Sequence, residues 1–193
     1  MRLGIDASNI VVGGGFIHLK KILENADLNK YDIQQVLVWG VKQTLEELPQ
    51  GSILHYLETK NTNFSRRILW QHTELIRSAK NCCDILFIPG GLYLGGFCPY
   101  VTMFQNMQVF ERDERNRENS KEWLRLRLLL AAQCLSFQNS SGLICLSEFS
   151  QNYLTQHYPQ IVSKTSVKLI AHGTETFIND THLSRTENFN DSK

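Results

Sequence analysis

Short apolar runs recur along this chain, and most are followed by a longer stretch with helical spacing. The runs are Leu3 to Ala7, Val36 to Trp39, Ile53 to Leu57, Ile85 to Ile88, Tyr100 to Gln105, Leu143 to Leu146 and Ser166 to Ala171. Each is short enough for a strand, and the continuous apolar character suits strands covered on both faces. Strands alternating with helices imply crossover connections and therefore a mostly parallel sheet. The expected fold is α/β: a Rossmann-like, doubly wound, mostly parallel sheet. Ligands in such sheets bind in the crevice beyond the carboxyl ends of the strands, so the loops there are where function is sought.

The helical stretches are Phe16 to Asn25, a short helix or turn from Val41 to Leu48, Ser65 to Ala79, Trp123 to Phe137 and Glu148 to His157. In the third, Ile68, Leu69, His72, Leu75, Ile76 and Ala79 share one stripe. In the fourth, Leu124, Leu128, Ala131 and Leu135 recur at the same period and are expected to face the core. Ser147 precedes the fifth as its N-cap. After His172-Gly173 the periodicity ends, so residues 1–173 read as one domain and 174–193 as a polar tail or interdomain linker.

Composition narrows the partners. The formal net charge is +1, which disfavours a polybasic nucleic-acid binder. Cys82, Cys83, Cys98, Cys134 and Cys145 form no C-x-x-C pair, so no zinc or disulfide framework is expected. Buried thiols in a reducing compartment are the expectation. No leader-like apolar region precedes the first strand, and no run approaches the roughly 18 apolar residues of a membrane span. A cytoplasmic protein is expected, and the sequons at Asn63, Asn139 and Asn179 are then chance matches. The mixed-charge run Glu111 to Glu122 reads first as a solvated face. An acceptor-binding loop, or one contacting the inner face of the membrane, is the alternative it leaves open.

Gly13-Gly14-Gly15 separates the first strand from the first helix. Glycines there let a ligand approach the backbone, and the helix N-terminus offers unpaired N–H groups to a phosphate or other anion. Gly13 and Gly15 satisfy the first two positions of G-x-G-x-x-G, but His18 occupies the third. The second strand ends Val38-Trp39-Gly40, with no carboxylate for a ribose. A dehydrogenase-type dinucleotide site is therefore disfavoured, and a nucleotide-binding oxidoreductase with it. A tight turn without a ligand remains the plain alternative.

The run Asp6-Ala7-Ser8, Gly13-Gly14-Gly15, His18-Leu19 and Ile22-Leu23 resembles the opening of family-four (group 1) glycosyltransferases. Arg67 with Trp70-Gln71, then Asp84-Ile85-Leu86-Phe87-Ile88-Pro89-Gly90-Gly91, are similar to later segments of that family. So are Gln105-Asn106-Met107 with Phe110, Leu128 to Ser136, Ile144 to Ser150, and Val167 to Gly173. Val109 stands where the family often has proline, and Asn139-Ser140-Ser141-Gly142 replaces its common A-D-G.

The resemblance implies the N-terminal, acceptor-side half of a metal-independent GT-B glycosyltransferase. It implies no cofactor, with a nucleotide sugar as co-substrate held mainly by a C-terminal domain. That domain, with its phosphate-binding Arg/Lys and E-x7-E motif, lies outside the 193 residues, so a split or truncated product is expected. The implied partners are a sugar or glycoconjugate acceptor and a separate chain carrying the donor-binding domain, not nucleic acid. The alternative is a non-catalytic Rossmann-like binding or scaffolding domain.

The candidate substrate-binding residues are Gly13, Gly14, Gly15, His18, Gln105, Asn106, Gly90, Gly91 and Ser147. His18, read in the first turn of its helix, could hold acceptor or sugar, or be satisfied by its neighbours. Asn106 could donate to a sugar hydroxyl or developing charge, or simply close a turn. Gln105 has the weaker claim, because strand alternation can turn it away. Ser147 is first an N-cap. No residue is singled out as catalytic.

Overall fold

The computed structural model describes residues 1–60 and 63–171, apart from the side chain of Glu114. The expected boundary at His172-Gly173 and the tail beyond it lie outside the described residues. Seven strands are present: β1 (Arg2–Asp6), β2 (Gln35–Gly40), β3 (Leu54–Glu58), β4 (Ile85–Ile88), β5 (Tyr100–Phe104), β6 (Gly142–Cys145) and β7 (Ser166–Leu169). They form one sheet in the order β3-β2-β1-β4-β5-β6-β7, with every neighbouring pair parallel. This is the doubly wound, Rossmann-like α/β fold that the alternating pattern predicts.

The register explains the apolar runs. Ile5 of β1 lies between Val38 of β2 and Phe87 of β4. Alternate residues of each central strand enter different cores, because side chains on a strand point to opposite faces. Val36 and Val38 join Ile5, Leu19, Leu23 and Leu45 on one face, under α1 (Gly14–Asn25) and α2 (Lys42–Glu46). Leu37 and Trp39 join Leu75, Ala79, Leu86 and Ile88 on the other. A third core gathers Phe104, Leu143 and Cys145 with residues of α6 (Ser120–Gln138), α7 (Glu148–His157) and α8 (Pro159–Val162). A short helix α5 (Arg112–Asn116) precedes α6 within the charged run. No described helix is long and apolar enough to cross a membrane.

Two helices depart from expectation. The stretch read as one helix from Ser65 to Ala79 is three segments: α3 (Phe64–Trp70), a π-helical turn (Gln71–Leu75) and α4 (Ile76–Cys82). The wider turn breaks the 3.6-residue phase, so Leu69 and His72 of the predicted stripe are exposed while Gln71 is buried. In α6 the predicted stripe faces outward: Leu124, Leu128 and Leu135 are 55%, 62% and 52% exposed. The buried positions are Leu126, Ala132, Gln133, Ser136 and Phe137. Leucines fall on several sides of this helix, so periodicity alone could not select the inward face.

All five cysteines are free thiols. Cys83 and Cys145 are buried as expected, but Cys98 is exposed.

Candidate functional site

The strand order reverses between β1 and β4, from which the sheet grows in opposite directions. Loops leaving the two strands diverge there and open a crevice beyond their carboxyl ends. One wall carries Asp6 to Asn9 and Gly13 with the first residues of α1, Gly14 and Gly15. The other carries Gly90 to Leu94 after β4 and Gln105 after β5.

At the floor lies Asp6, 1% exposed at the end of β1. One carboxylate oxygen, Oδ1, accepts the Ser8 N–H at 3.0 Å and the Ser8 hydroxyl at 2.6 Å. The other, Oδ2, accepts Gln71 Nε2 at 2.8 Å. Burial pushes the carboxyl above its ordinary range, and the hydrogen bonds from Ser8 and Gln71 and the charge of Arg67 partly offset it. Burial likewise pulls the half-buried Arg67 guanidinium down, against the opposing pull of Asp6. Gln71 also donates to the Leu92 carbonyl at 3.2 Å and accepts the Leu94 N–H at 3.3 Å. One amide thus ties the end of β1 to the loop after β4, and the π turn begins at that residue.

The glycines divide by physical role. Gly13 is the N-cap of α1, with φ 86° and ψ −163°, a combination open essentially only to glycine. Gly14 and Gly15 are the first two residues of α1 rather than loop. A Cβ built on Gly14 would meet nothing within 4 Å, so neither packing nor backbone conformation accounts for the missing side chain. A Cβ on Gly15 would lie 3.4 Å from Gln105 Oε1. Gly90 supports the opposite wall: Asn9 Nδ2 donates to its carbonyl at 3.3 Å, and a Cβ there would overlap the Asn9 side chain. Gly91 has φ 77°, and its face abuts the Met103 carbonyl.

Of the predicted residues, the structure therefore brings Gly15 and Gln105 together and sets Gly90 against Asn9. Gln105 stands just beyond β5, so strand alternation does not turn it away. Asn106 closes a local turn, its Oδ1 accepting the Gln108 N–H at 3.1 Å. Ser147 caps α7, its Oγ accepting the Ser150 N–H at 3.1 Å. His18 is half-buried in the second turn of α1, not the first, because the helix starts at Gly14. The loop from Gln105 to Phe110 is held from below. Buried Arg115 donates to the carbonyls of Val109 and Phe110 at 2.7 and 2.6 Å, and Phe110 packs against Phe104 and Phe137.

Comparison with models of known protein families and with curated protein sequences finds no match. The geometry therefore carries the functional reading together with the motif resemblance. Among the described residues, no group of three or more His, Cys, Asp or Glu side chains could hold a metal ion.

Asp6, Gln71 and Arg115 were not among the candidate residues. Asp6 had a readable signal, a carboxylate ending an apolar strand. Gln71 belongs to a segment that carries the resemblance, but periodicity does not announce its inward turn, which depends on the π insertion. Arg115 sat within a charge run that reads as solvated.

Proposed function

We propose that this chain is the acceptor-side half of a GT-B glycosyltransferase, moving a sugar from a nucleotide-sugar donor to a glycan or glycoconjugate acceptor. The observation that carries the reading is Gly14: an unobstructed helix N-terminus at the head of the crevice, with no internal reason for its glycine. Free N–H groups and the partial positive charge there suit a negatively charged group brought in by a facing domain. Gln105 beside Gly15 supplies an amide able to donate to and accept from a sugar hydroxyl. The buried Asp6–Gln71 link keeps the two crevice walls in register, which positions these groups before a ligand arrives.

The second reading, a non-catalytic binding or scaffolding domain, is favoured by one observation. The side chains of Asn106 and Ser147 satisfy their own backbones, which leaves the crevice few polar groups to act on a substrate. The deciding experiment is transfer of labelled sugar from UDP- and GDP-sugars, with this chain alone and with a separately supplied donor-binding domain. Transfer that requires both polypeptides supports the enzyme reading. No transfer with any donor, together with acceptor glycan binding, supports the second.

A further inference from the structure

Helix α6 has two apolar faces. One enters the third core through Leu126, Leu130 and Phe137. On the other, Leu124, Leu128, Ala131 and Leu135 are all exposed, each leucine by more than half. Successive members of this outer stripe stand four, three and four residues apart, the alternation of a heptad seam. At 3.6 residues per turn the stripe is roughly 60° wide. That is narrower than the face with which a helix covers a core, and it has the width of a seam with one other helix.

Two copies of this seam fit each other in one antiparallel register. Leu124 then meets the partner's Leu135, and Leu128 meets the partner's Ala131. Both pairs are centred between Leu129 and Leu130, so one two-fold axis generates all four layers. The large Leu128 side chain fills the space left by the small Ala131. A parallel pairing would instead set Ala131 against its own copy and leave that layer underfilled.

Charge selects the same direction. Lys121, Arg125 and Arg127 lie in the N-terminal half of α6, and residues 128–138 carry no charge. A parallel pair would gather both sets of cations at one end. The antiparallel pair lays each set beside the uncharged C-terminal half of the partner helix, where the helix dipole is negative. An open hollow of about 540 Å³, lined by Asn116, Glu118, Ser120, Trp123 and Leu124, adjoins the N-terminal end of the seam. In this register it receives the partner's Leu135, and the partner's Gln138 and Asn139 supply amides for its polar lining.

The exposed parts of the seam and Trp123 come to roughly 400 Å² on each copy, and the polar rim brings the buried total to about 1,200 Å², the low end of specific interfaces. We propose that a second copy of this chain docks antiparallel on the outer face of α6, giving a two-fold symmetric dimer. A contact of this size suits dissociation in the micromolar range, so the chain is monomeric when dilute. The inference does not depend on the transferase reading.

The test is sedimentation velocity of the full chain from about 1 to 200 µM, the range in which such a pair forms. The mass should rise with concentration from 22.2 kDa toward twice that value and stop there. Leu128→Glu places a carboxylate in an apolar layer and should weaken association about a hundredfold. Its site is exposed, and an unchanged near-ultraviolet circular dichroism spectrum checks that the variant is folded. Adding Ala131→Arg sets each new carboxylate opposite the partner's new guanidinium and should return association to within about tenfold of the parent. In a parallel pair the same double change sets like charges opposite each other and restores nothing. A chain that stays at 22.2 kDa overturns the proposal, whether or not it binds phosphatidylserine vesicles. So does a mass that grows past the dimer, a Leu128→Glu variant that associates like the parent, or a double variant as weak as the single one.

Discussion

Replacing Gln71 by methionine removes three hydrogen bonds while keeping an unbranched side chain of similar length and good helix propensity. The amide donates to the Asp6 carboxylate and the Leu92 carbonyl and accepts from the Leu94 N–H. A hydrogen bond to a charged group contributes about 1.5–3 kcal/mol and each neutral one about 1 kcal/mol, so Gln71→Met should cost roughly 3–5 kcal/mol near neutral pH. Urea denaturation followed by circular dichroism should show the midpoint falling with the slope unchanged. The loss should also depend on pH. Gln71 lowers the Asp6 pKa, which burial has already raised above the ordinary value. Without the amide the native carboxyl holds its proton to still higher pH. In that window the variant's native state binds more protons than the parent's, so its stability falls faster as pH rises. The difference between the proteins should therefore be smaller under acidic conditions, where Asp6 is protonated in both, and larger above the titration. A loss below about 1 kcal/mol would refute the claim that this amide ties the crevice walls. A loss that grows on acidification would refute the role assigned to Asp6.

Other perturbations separate roles that the sequence leaves mixed. Gly14→Ala should leave stability unchanged or raise it by about 0.5–1 kcal/mol, since the site is open and helical, while lowering sugar transfer in the two-component assay. Gly13→Ala should destabilise by about 1–3 kcal/mol in thermal or urea unfolding, because its backbone angles are closed to alanine. On α6, Leu126→Ala should cost about 2–5 kcal/mol by urea midpoint. The exposed Leu128→Ala should stay within about 0.5 kcal/mol of the parent. Burial pushes the thiols of Cys83, Cys134 and Cys145 up to about 11, so in mildly alkaline thiol titration exposed Cys98 should react well before them. Simultaneous reaction of all five in the native protein would contradict that order.

The fold was legible because its strands are buried on both faces. A run such as Leu86-Phe87-Ile88 stays apolar on either parity, since Leu86 and Ile88 enter one core and Phe87 packs on the other. The helices were less legible: α6 carries leucines on its exposed as well as its buried side, so its inward face was set by tertiary partners. Ser136 illustrates those partners, its hydroxyl accepting the Tyr93 N–H at 2.9 Å. At the site, positions fixed by strand ends were readable, which is why Gly13, Gly90 and Gln105 fall around one crevice. Roles fixed by a side chain reaching across the chain were not: Gln71 meets Asp6 across 65 residues. That meeting needs a π turn, which no period of 3.6 announces. Asn106 and Ser147 take the local turn and N-cap roles that the sequence already offered them, and for a shared reason. Asn and Ser bond their own neighbouring backbone whenever a turn or helix start permits. Glutamines have longer side chains and are poor local caps, so Gln71 reaches Asp6 and the loop after β4, and Gln105 comes close to Gly15 of α1. In this molecule the amides that join the two crevice walls come from Gln71 and from Asn9, whose loop offers it no local backbone partner and whose Nδ2 donates to the Gly90 carbonyl.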